Sequence, residues 1–329
     1  MSSENASVDS GKNYLVIDLS GGPRGSDYPY RFTDDPPNIE DDTCRTTELW
    51  LRHIPAGTFI MGDSTGLAES RKIHCYPEET AHEVTLTEDF YLGIFQCTQK
   101  QYELITGSNP SYFKGDTRPV ETISFNELCG DDPYYNSLFK GSSFSRCLSD
   151  FQFFLPTEAQ WEYACRLRAD GTTWNTDLNS GRNFGPKDSS PMKELGRFVG
   201  NSEWEPGSKS DGRGGYGEHT KVGCYRPSEM GLYDMHGNVH EHCQDWVSKD
   251  IDYHYSWREG RTNPSGPNLP LLQQRVVRGG GWGWDPDLDG CRCSARFPVN
   301  PSEKYCYLGF RIACDIKWGQ KWKKFWDEF

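Results

Sequence analysis

The stretch "GLYDMHGNVHEHCQDW", residues Gly231 to Trp246, brings three histidines into one short segment that contains two glycines. His236, His240 and His242 have the spacing HxxxHxH, which zinc and copper sites can use. Histidines of this kind are more often packed or hydrogen-bonded structural residues, and a contribution to a ligand pocket is the third role to consider. The residues alone leave these three roles open.

The segments around this stretch predict short strands. "KNYLVIDLSGG" has an apolar run from Tyr14 to Leu19 that ends at two glycines, which is typical of a buried strand. "ELWLRHIPAGTFIMGD" and "HEVTLTEDFYLGIFQCT" each indicate a pair of strands around a turn. "RVVRGGGWGW" and "YLGFRIAC" predict further strands towards the C-terminus.

Helices are expected to be few and short. "TQKQYELITG" predicts a helix with its N-cap at Thr98 and its end at Gly107. "LPTEAQWEYACRLRADG" predicts the clearest helix, with Thr157 and Gln160 as a capping box and Gly171 as its end. A short helix is also expected within "SFNELCGDDPYYNSLFKG".

These elements, together with 34 glycines and 20 prolines, predict one loop-rich α+β domain. We expect a flexible tail at residues 1–12, the domain at 13–314 and a basic aromatic tail at 315–329, which could pack on the domain as a short amphipathic helix. The 12 cysteines permit disulfides but do not form a CxxC…CxxC zinc pattern.

Charge and hydropathy limit the partners and the location. The formal net charge of −13 argues against nucleic acid, whose binding depends on neutralising phosphates. No stretch approaches the roughly 18 consecutive apolar residues of a membrane helix, so no membrane span is expected. The first residues lack the apolar region of a secretory signal. A signal removed earlier would leave the same start, so both an exported or cell-surface location and a cytoplasmic one stay open.

Eight segments in collinear order, roughly from Leu49 to Cys314, resemble the formylglycine-generating enzyme (sulfatase-modifying factor) family. Among them are "IPAGTFIMGD", "LPTEAQWEYACR", "GLYDMHGNVHEHCQDW", "RVVRGGGWGW" and "LGFRIA". The resemblance implies an irregular, loop-rich C-type lectin-like fold with bound calcium, and residues 49–314 as its core.

The resemblance also implies a set of calcium ligands in the opening stretch. They are the side chain of Asp234, the backbone carbonyls of Gly237 and Val239, and the carboxylate of Glu241. Calcium prefers several oxygen ligands, and this set supplies them. His240 and His242 stand where the family has two tryptophans.

The family's enzymes oxidise a sulfatase cysteine to formylglycine with copper held by two cysteines. The corresponding window here, residues 279–290, contains no cysteine. The resemblance implies that Cys165 and Cys293 form a structural disulfide. We therefore expect a protein without this catalytic activity. The alternative is a copper-dependent, sulfatase-activating oxidase with rearranged thiols, in which Cys291 and Cys293 or Cys306 serve the metal.

The C-terminal part resembles the variable proteins of diversity-generating retroelements, which display a diversified surface on this fold. Residues 282–307 lie in the corresponding region, between the "RGG" and "GFR" strands. Its large rings suit binding, because Tyr and Trp give much contact area at little entropy cost. An unknown protein or glycan is the expected ligand. The candidate ligand-binding residues are Trp282, Trp284, Asp285, Asp287, Leu288, Asp289, Phe297, Val299, Asn300, Tyr305 and Tyr307.

Overall fold

Three sheets organise the described part of the chain in the computed structural model. The structure describes residues 12–63, 79, 81–130, 137–174, 192–199, 201–202, 217–247, 262–267, 273–283 and 290–316. The strands are β1 (Tyr14–Asp18), β2 (Tyr30–Thr33), β3 (Glu48–Ile54), β4 (Gly57–Met61), β5 (His82–Leu86), β6 (Phe90–Gly93), β7 (Gln152–Phe154), β8 (His240–Trp246), β9 (Arg275–Arg278), β10 (Arg296–Val299), β11 (Leu308–Gly309) and β12 (Ala313–Asp315).

The described helices are short and lie between the strands. They are α1 (Gln99–Thr106), α2 (Phe125–Cys129), α3 (Ser143–Cys147), α4 (Glu158–Arg166) and α5 (Met192–Leu195), with a single 3-10 turn at Asp42–Arg45. This mixture of small sheets and short helices confirms the predicted loop-rich α+β fold.

The first sheet has six strands in the order β2-β1-β3-β6-β12-β7 and covers the larger core. Its strands pair antiparallel, with Leu15 opposite Leu51, and both side chains are completely buried. Phe153 on β7 and Phe310 continue the same core beneath α1, α2 and α3. The apolar run predicted as a buried strand is therefore the second strand of this sheet.

Two predicted helices begin as the sequence indicated. Thr98 caps α1 and Thr157 caps α4, each within a complete capping box, and Gly107 ends α1 in the left-handed conformation. The predicted end of α4 at Gly171 is wrong, because the helix stops at Arg166.

The strands of both predicted pairs exist, but the two strands of a pair do not bond to each other. In the first pair, β3 joins β1 and β6 of the large sheet, whereas β4 pairs with β5 in a separate two-stranded sheet. A turn between two strands shows where the chain reverses, and it does not decide which strand becomes the hydrogen-bonded partner.

The second sheet, in the order β10-β9-β8-β11, carries the opening stretch of the sequence analysis. Here β8 runs parallel to β11, and His240 lies opposite Leu308. Helix α4 packs against this sheet through buried ion pairs, in which Arg278 of β9 bonds both Glu158 and Glu162. The sheet therefore joins the histidine segment to the C-terminal residues predicted to bind a ligand.

Candidate functional site

The loop before β8 has an unusual backbone that turns its carbonyl groups inward. Asp234, Gly237 and Asn238 have φ values of +57°, +108° and +66°, all in the left-handed region. Gly237 is required there, since a Cβ atom would lie 2.3 Å from the carbonyl oxygen of Arg197. Only glycine therefore fits at position 237, which was predicted to supply a carbonyl ligand, because the backbone of Arg197 lies so close.

Four oxygen atoms converge on the side-chain amide of Gln96, and we call this group the oxygen cluster. The Nε2 atom of Gln96 lies 2.8 Å from the carbonyl oxygen of Val239 and 3.2 Å from that of Gly237. It also lies 3.3 Å from the carbonyl oxygen of Asp234 and 3.0 Å from Oε1 of Glu241. The four residues predicted as calcium ligands therefore surround one point, although the structure uses the backbone of Asp234 and not its side chain.

The oxygen cluster is completely enclosed and electrostatically balanced. Glu241 accepts a hydrogen bond at 2.8 Å from the indole nitrogen of Trp161, and Arg311 bonds both of its carboxylate oxygens at 3.0 and 2.9 Å. Gln96, Glu241 and Arg311 have no solvent exposure. These partners come from distant parts of the chain, so the tertiary fold holds the carboxylate in position.

The side chain of Asp234 lies beside the cluster. Its Oδ2 atom accepts a hydrogen bond of 2.7 Å from the backbone N–H of Gly223, while Oδ1 is buried without a hydrogen-bond partner among the described residues. Burial raises the pKa of the Asp234 carboxyl group to about 6. Asp234 is therefore a half-satisfied buried acid at the edge of the oxygen cluster.

The three histidines lie in three different environments. His236 lies beside Cys165, whereas Nε2 of His242 donates a hydrogen bond of 3.2 Å to the carbonyl oxygen of Ile123. His240 packs edge-on against Phe297, with ring centroids 5.2 Å apart. Within the described ranges, one group of side chains could hold a metal ion, and His236 is its only histidine. The three histidines therefore do not form one metal site.

Cys165, Cys293 and His236 form a buried group that we call the thiol–histidine cluster. The two sulfur atoms lie 3.3 Å apart and are not covalently joined, and Nε2 of His236 lies 3.9 Å from the Cys165 sulfur. The contact between the thiols raises the pKa of Cys165 and lowers that of Cys293. The disulfide between these residues stays a prediction.

Half-buried aromatic rings lie beside the second sheet, around His240 at the start of β8. Tyr305 and Tyr307 stack face to face with centroids 4.9 Å apart and an interplanar angle of 6°. Phe297 and Tyr307 both contact the ring of His240. We call Phe297, Tyr305, Tyr307 and His240 the aromatic platform.

The remaining predicted ligand-binding residues have different positions. Asn300 is exposed, whereas Val299 is buried beneath the aromatic platform. Trp282 is only 2% exposed, packs edge-on against Phe113 and donates a hydrogen bond to the carbonyl oxygen of Cys306, so it supports the platform from inside. Trp284, Asp285, Asp287, Leu288 and Asp289 lie outside the described residues.

Sequence reasoning did not find Gln96, Phe113 or Arg311. Gln96 lies 138 residues before the loop it meets, and nothing in its neighbourhood marks it as a ligand. The buried Arg311 in "LGFRIA" was readable only as part of a strand. An arginine in an otherwise apolar segment is a signal for a buried ion pair, since such a charge is rarely buried without a partner.

The fold and the oxygen cluster define a loop-rich C-type lectin-like domain. Residues 40–316 match the sulfatase-modifying factor enzyme 1-like domain, and the chain belongs to that family. The resemblance seen in the sequence is thereby confirmed.

Two relatives and one solved structure illustrate the range of this family. The chaperone protein LppX of Paenibacillus barcinonensis is 30% identical over 225 residues, which cover 60% of this chain and 71% of LppX. The formylglycine-generating enzyme of Bos taurus is 33% identical over 165 residues, covering 49% of this chain and only 38% of the enzyme. The structure of Treponema denticola variable protein 1 superimposes with a TM-score of 0.57 at 24% identity, over 82% of this chain and 95% of that chain, and shows the same fold.

The helices of this fold are short, as their bounds show. Among the described residues, none of them combines the length and the apolar composition needed to cross a bilayer.

Proposed function

We propose that this chain is a non-catalytic ligand-binding protein of the kind encoded with diversity-generating retroelements. Its aromatic platform and residues 282–307 form the variable binding surface, and calcium stabilises the lectin-like fold beneath it. The observation that carries this proposal is the group of half-buried rings around His240 on one face of the second sheet. The opposite face is held by the buried ion pair of Glu241 with Arg311.

The geometry of the platform supports binding in two ways. Tyr305 and Tyr307 present large rings with few rotatable bonds, which lose little entropy when a ligand binds. Asn300 and Glu303 are exposed beside them and offer hydrogen-bonding groups at the rim. The ligand that fits is a protein or glycan surface with an apolar patch and nearby hydroxyl or amide groups.

The surroundings of the cysteines favour binding over the copper oxidase. Cys293 faces Cys165 and His236, and neither Cys291 nor Cys306 belongs to this cluster. The thiol of Cys293 is thus surrounded by the partners of a structural residue, which supports the non-catalytic interpretation.

Sequencing of the coding segment in a population of cells tests the diversification. We expect substitutions to concentrate in the codons for residues 282–307, with the codons for residues 49–281 constant as the internal control. Equal substitution densities in the two segments would refute diversification. Binding is measured separately on a glycan array and a panel of surface proteins, where the double variant Y305S/Y307S should lose the signals of the wild type.

Calcium is supported by the geometry of the oxygen cluster. An amide nitrogen carries two N–H groups and cannot donate well to the four oxygens around it. The other end of the amide, Oε1 of Gln96, is buried without a hydrogen-bond partner among the described residues. A rotation of the amide would add this oxygen to the cluster, and a hard cation prefers such a set of oxygens. Backbone carbonyls of Asp234, Gly237 and Val239, with Glu241 and Gln96, would hold the ion.

Thermal unfolding with and without the ion tests this part of the proposal. The melting temperature of the wild type should rise in Ca²⁺ and fall in EDTA, whereas Mg²⁺ should have little effect because it demands a tighter octahedral site. Q96E should strengthen the response and Q96L should remove it. Coincident melting curves of the wild type in Ca²⁺ and in EDTA would show that the oxygen cluster is held by the amide alone.

A further inference from the structure

The thiol–histidine cluster combines three potential metal ligands from three distant segments of the chain. Cys165 lies in the last turn of α4, His236 lies in the loop before β8, and Cys293 follows β9. All three side chains are buried, with exposures of 3%, 5% and 1% respectively. The Cys165 sulfur, the Cys293 sulfur and a ring nitrogen of His236 lie within 4.8 Å of one another.

The hydrogen bonding of His236 fixes which nitrogen faces the thiols. Its Nδ1 atom lies 2.9 Å from the carbonyl oxygen of Cys291. A carbonyl oxygen can only accept, so Nδ1 carries the proton and Nε2 of the neutral ring carries the lone pair. Metal-bound histidines are commonly oriented in this way, with the second ring nitrogen donating to a backbone carbonyl.

The distances are close to those of a tetrahedral zinc site. Bonds of about 2.3 Å from zinc to sulfur and about 2.0 Å to nitrogen would separate two sulfurs by about 3.8 Å and a sulfur from the nitrogen by about 3.5 Å. The observed separations are 3.3 Å between the sulfurs and 3.9 Å between the Cys165 sulfur and Nε2. Shifts of about half an ångström, within the range of side-chain adjustment, would bring the three ligands onto one ion.

We propose that Cys165, His236 and Cys293 form a buried binding site for a divalent transition-metal ion of the zinc type. Two thiolates neutralise the charge of the ion, which lowers the cost of burying it. A cavity of about 420 Å³ is lined by Cys165 and His236, among other described residues, and gives the fourth coordination position access to water. This proposal is independent of the calcium site and of the ligand-binding surface.

Cobalt is the probe, because its bound form absorbs where zinc does not. The full chain is reduced, freed of metal with a chelator and titrated with Co²⁺ under anaerobic conditions. We expect one equivalent to bind with a thiolate-to-cobalt charge-transfer band, and Zn²⁺ to displace it. C293S should abolish the band. H236Q should weaken binding by more than the roughly 10- to 100-fold that loss of an outer-shell partner costs.

Two matched variants control for unrelated cysteines and histidines. C224S changes an exposed thiol, and H53Q changes a histidine that is paired with Asp89 on another sheet. Both should bind cobalt like the wild type. Because C293S could also impair folding, its near-ultraviolet circular dichroism is recorded, and the metal content and thiol count of the wild type provide an independent measurement.

A disulfide between the same cysteines is the competing outcome. Thiols are counted in denaturant without reductant, in the wild type and in C165S/C293S. If the two proteins show the same number of free thiols, the wild type contains the disulfide and the metal site is refuted. Absence of the charge-transfer band in the fully reduced wild type, or its persistence in C293S, would overturn the proposal as well.

Discussion

Adjacent residues of strand β8 lead to two regions of opposite character. Glu241 points into the oxygen cluster, where Gln96, Trp161 and Arg311 bond it and solvent is excluded. The ring of His240 points to the aromatic platform, where the other rings are half-buried. This alternation follows from the strand itself, since successive side chains point to opposite faces.

The two regions differ in how many distant parts of the chain they need. The oxygen cluster depends on hydrogen bonds to Glu241 from residues more than 60 positions away in the sequence. Replacing one of these residues would leave a buried charged or polar group without its partner. The aromatic platform depends on ring contacts among the side chains of its four members. The variable surface that we propose would need this division, with a strictly determined interior beneath a tolerant exterior.

The largest effect is expected from breaking the buried ion pair of Glu241 with Arg311. In E241Q the guanidinium group keeps its buried position but loses the opposite charge. Removing one partner of such a pair costs about 3–5 kcal/mol. Urea unfolding followed by circular dichroism measures the loss in the free energy of unfolding.

An exposed ion pair provides the matched control for E241Q. Glu103 bonds Lys100 at 2.9 Å on the surface of α1, with side-chain exposures of 44% and 31%. E103Q should change the free energy of unfolding by less than about 0.5 kcal/mol. If E241Q and E103Q were equally mild, the oxygen cluster would not be the strictly determined region described above.

The sequence predicted local structure better than partners across the fold. Capping boxes at Thr98 and Thr157 depend on residues three positions apart, and both were readable. The end of α4 was missed because Gly171 gave a plausible stop signal, whereas the chain left the helix at Arg166 to form a bridge between Leu167 and Thr173. The pairing of β4 with β5 could not be read from the turn before β4, since the sheet is chosen by packing.

The candidate site was predictable only where one short segment carries it. The loop from Asp234 to Glu241 was identified through the resemblance to the family, which places all of the predicted ligands within eight residues. The role of Gln96 and the meeting of Cys165 with His236 require segments far apart in the sequence. Trp282 was expected at the binding surface because it lies among glycines, but its ring fits inside against Phe113.

The second prediction concerns a buried acid on the polar side of β8. Asp245 accepts a hydrogen bond of 2.7 Å from the backbone N–H of Glu158, and burial together with the Glu158 charge raises the pKa of Asp245 to about 7. An acid with a raised folded-state pKa favours folding at low pH, and this contribution is lost as the pH rises from about 4 through about 7. D245N removes the buried charge, and its amide oxygen can still accept the hydrogen bond.

The comparison of D245N with the wild type should therefore depend on pH. The difference in the free energy of unfolding should move in favour of D245N by about 1.4 kcal/mol for each pH unit between 5 and 7. Urea unfolding at pH 5, 6 and 7 measures it, and other titrating groups cancel in the difference. A difference that does not change with pH would mean that Asp245 keeps an ordinary pKa in the folded protein.

The smallest effect on stability is expected at the aromatic platform. Y305S removes one ring of the stacked pair with Tyr307, and such a pair contributes about 0.5–1.5 kcal/mol beyond the area it buries. Because Tyr305 is already half-exposed, the total loss in the free energy of unfolding should stay near 1 kcal/mol. Y30S, which changes a tyrosine that is 41% exposed and packs edge-on against Phe151 at the first sheet, is the control for a general loss of a surface ring. A loss above about 3 kcal/mol in Y305S alone would mean that the platform is part of the core, and a surface with that requirement could not vary freely between copies of the protein.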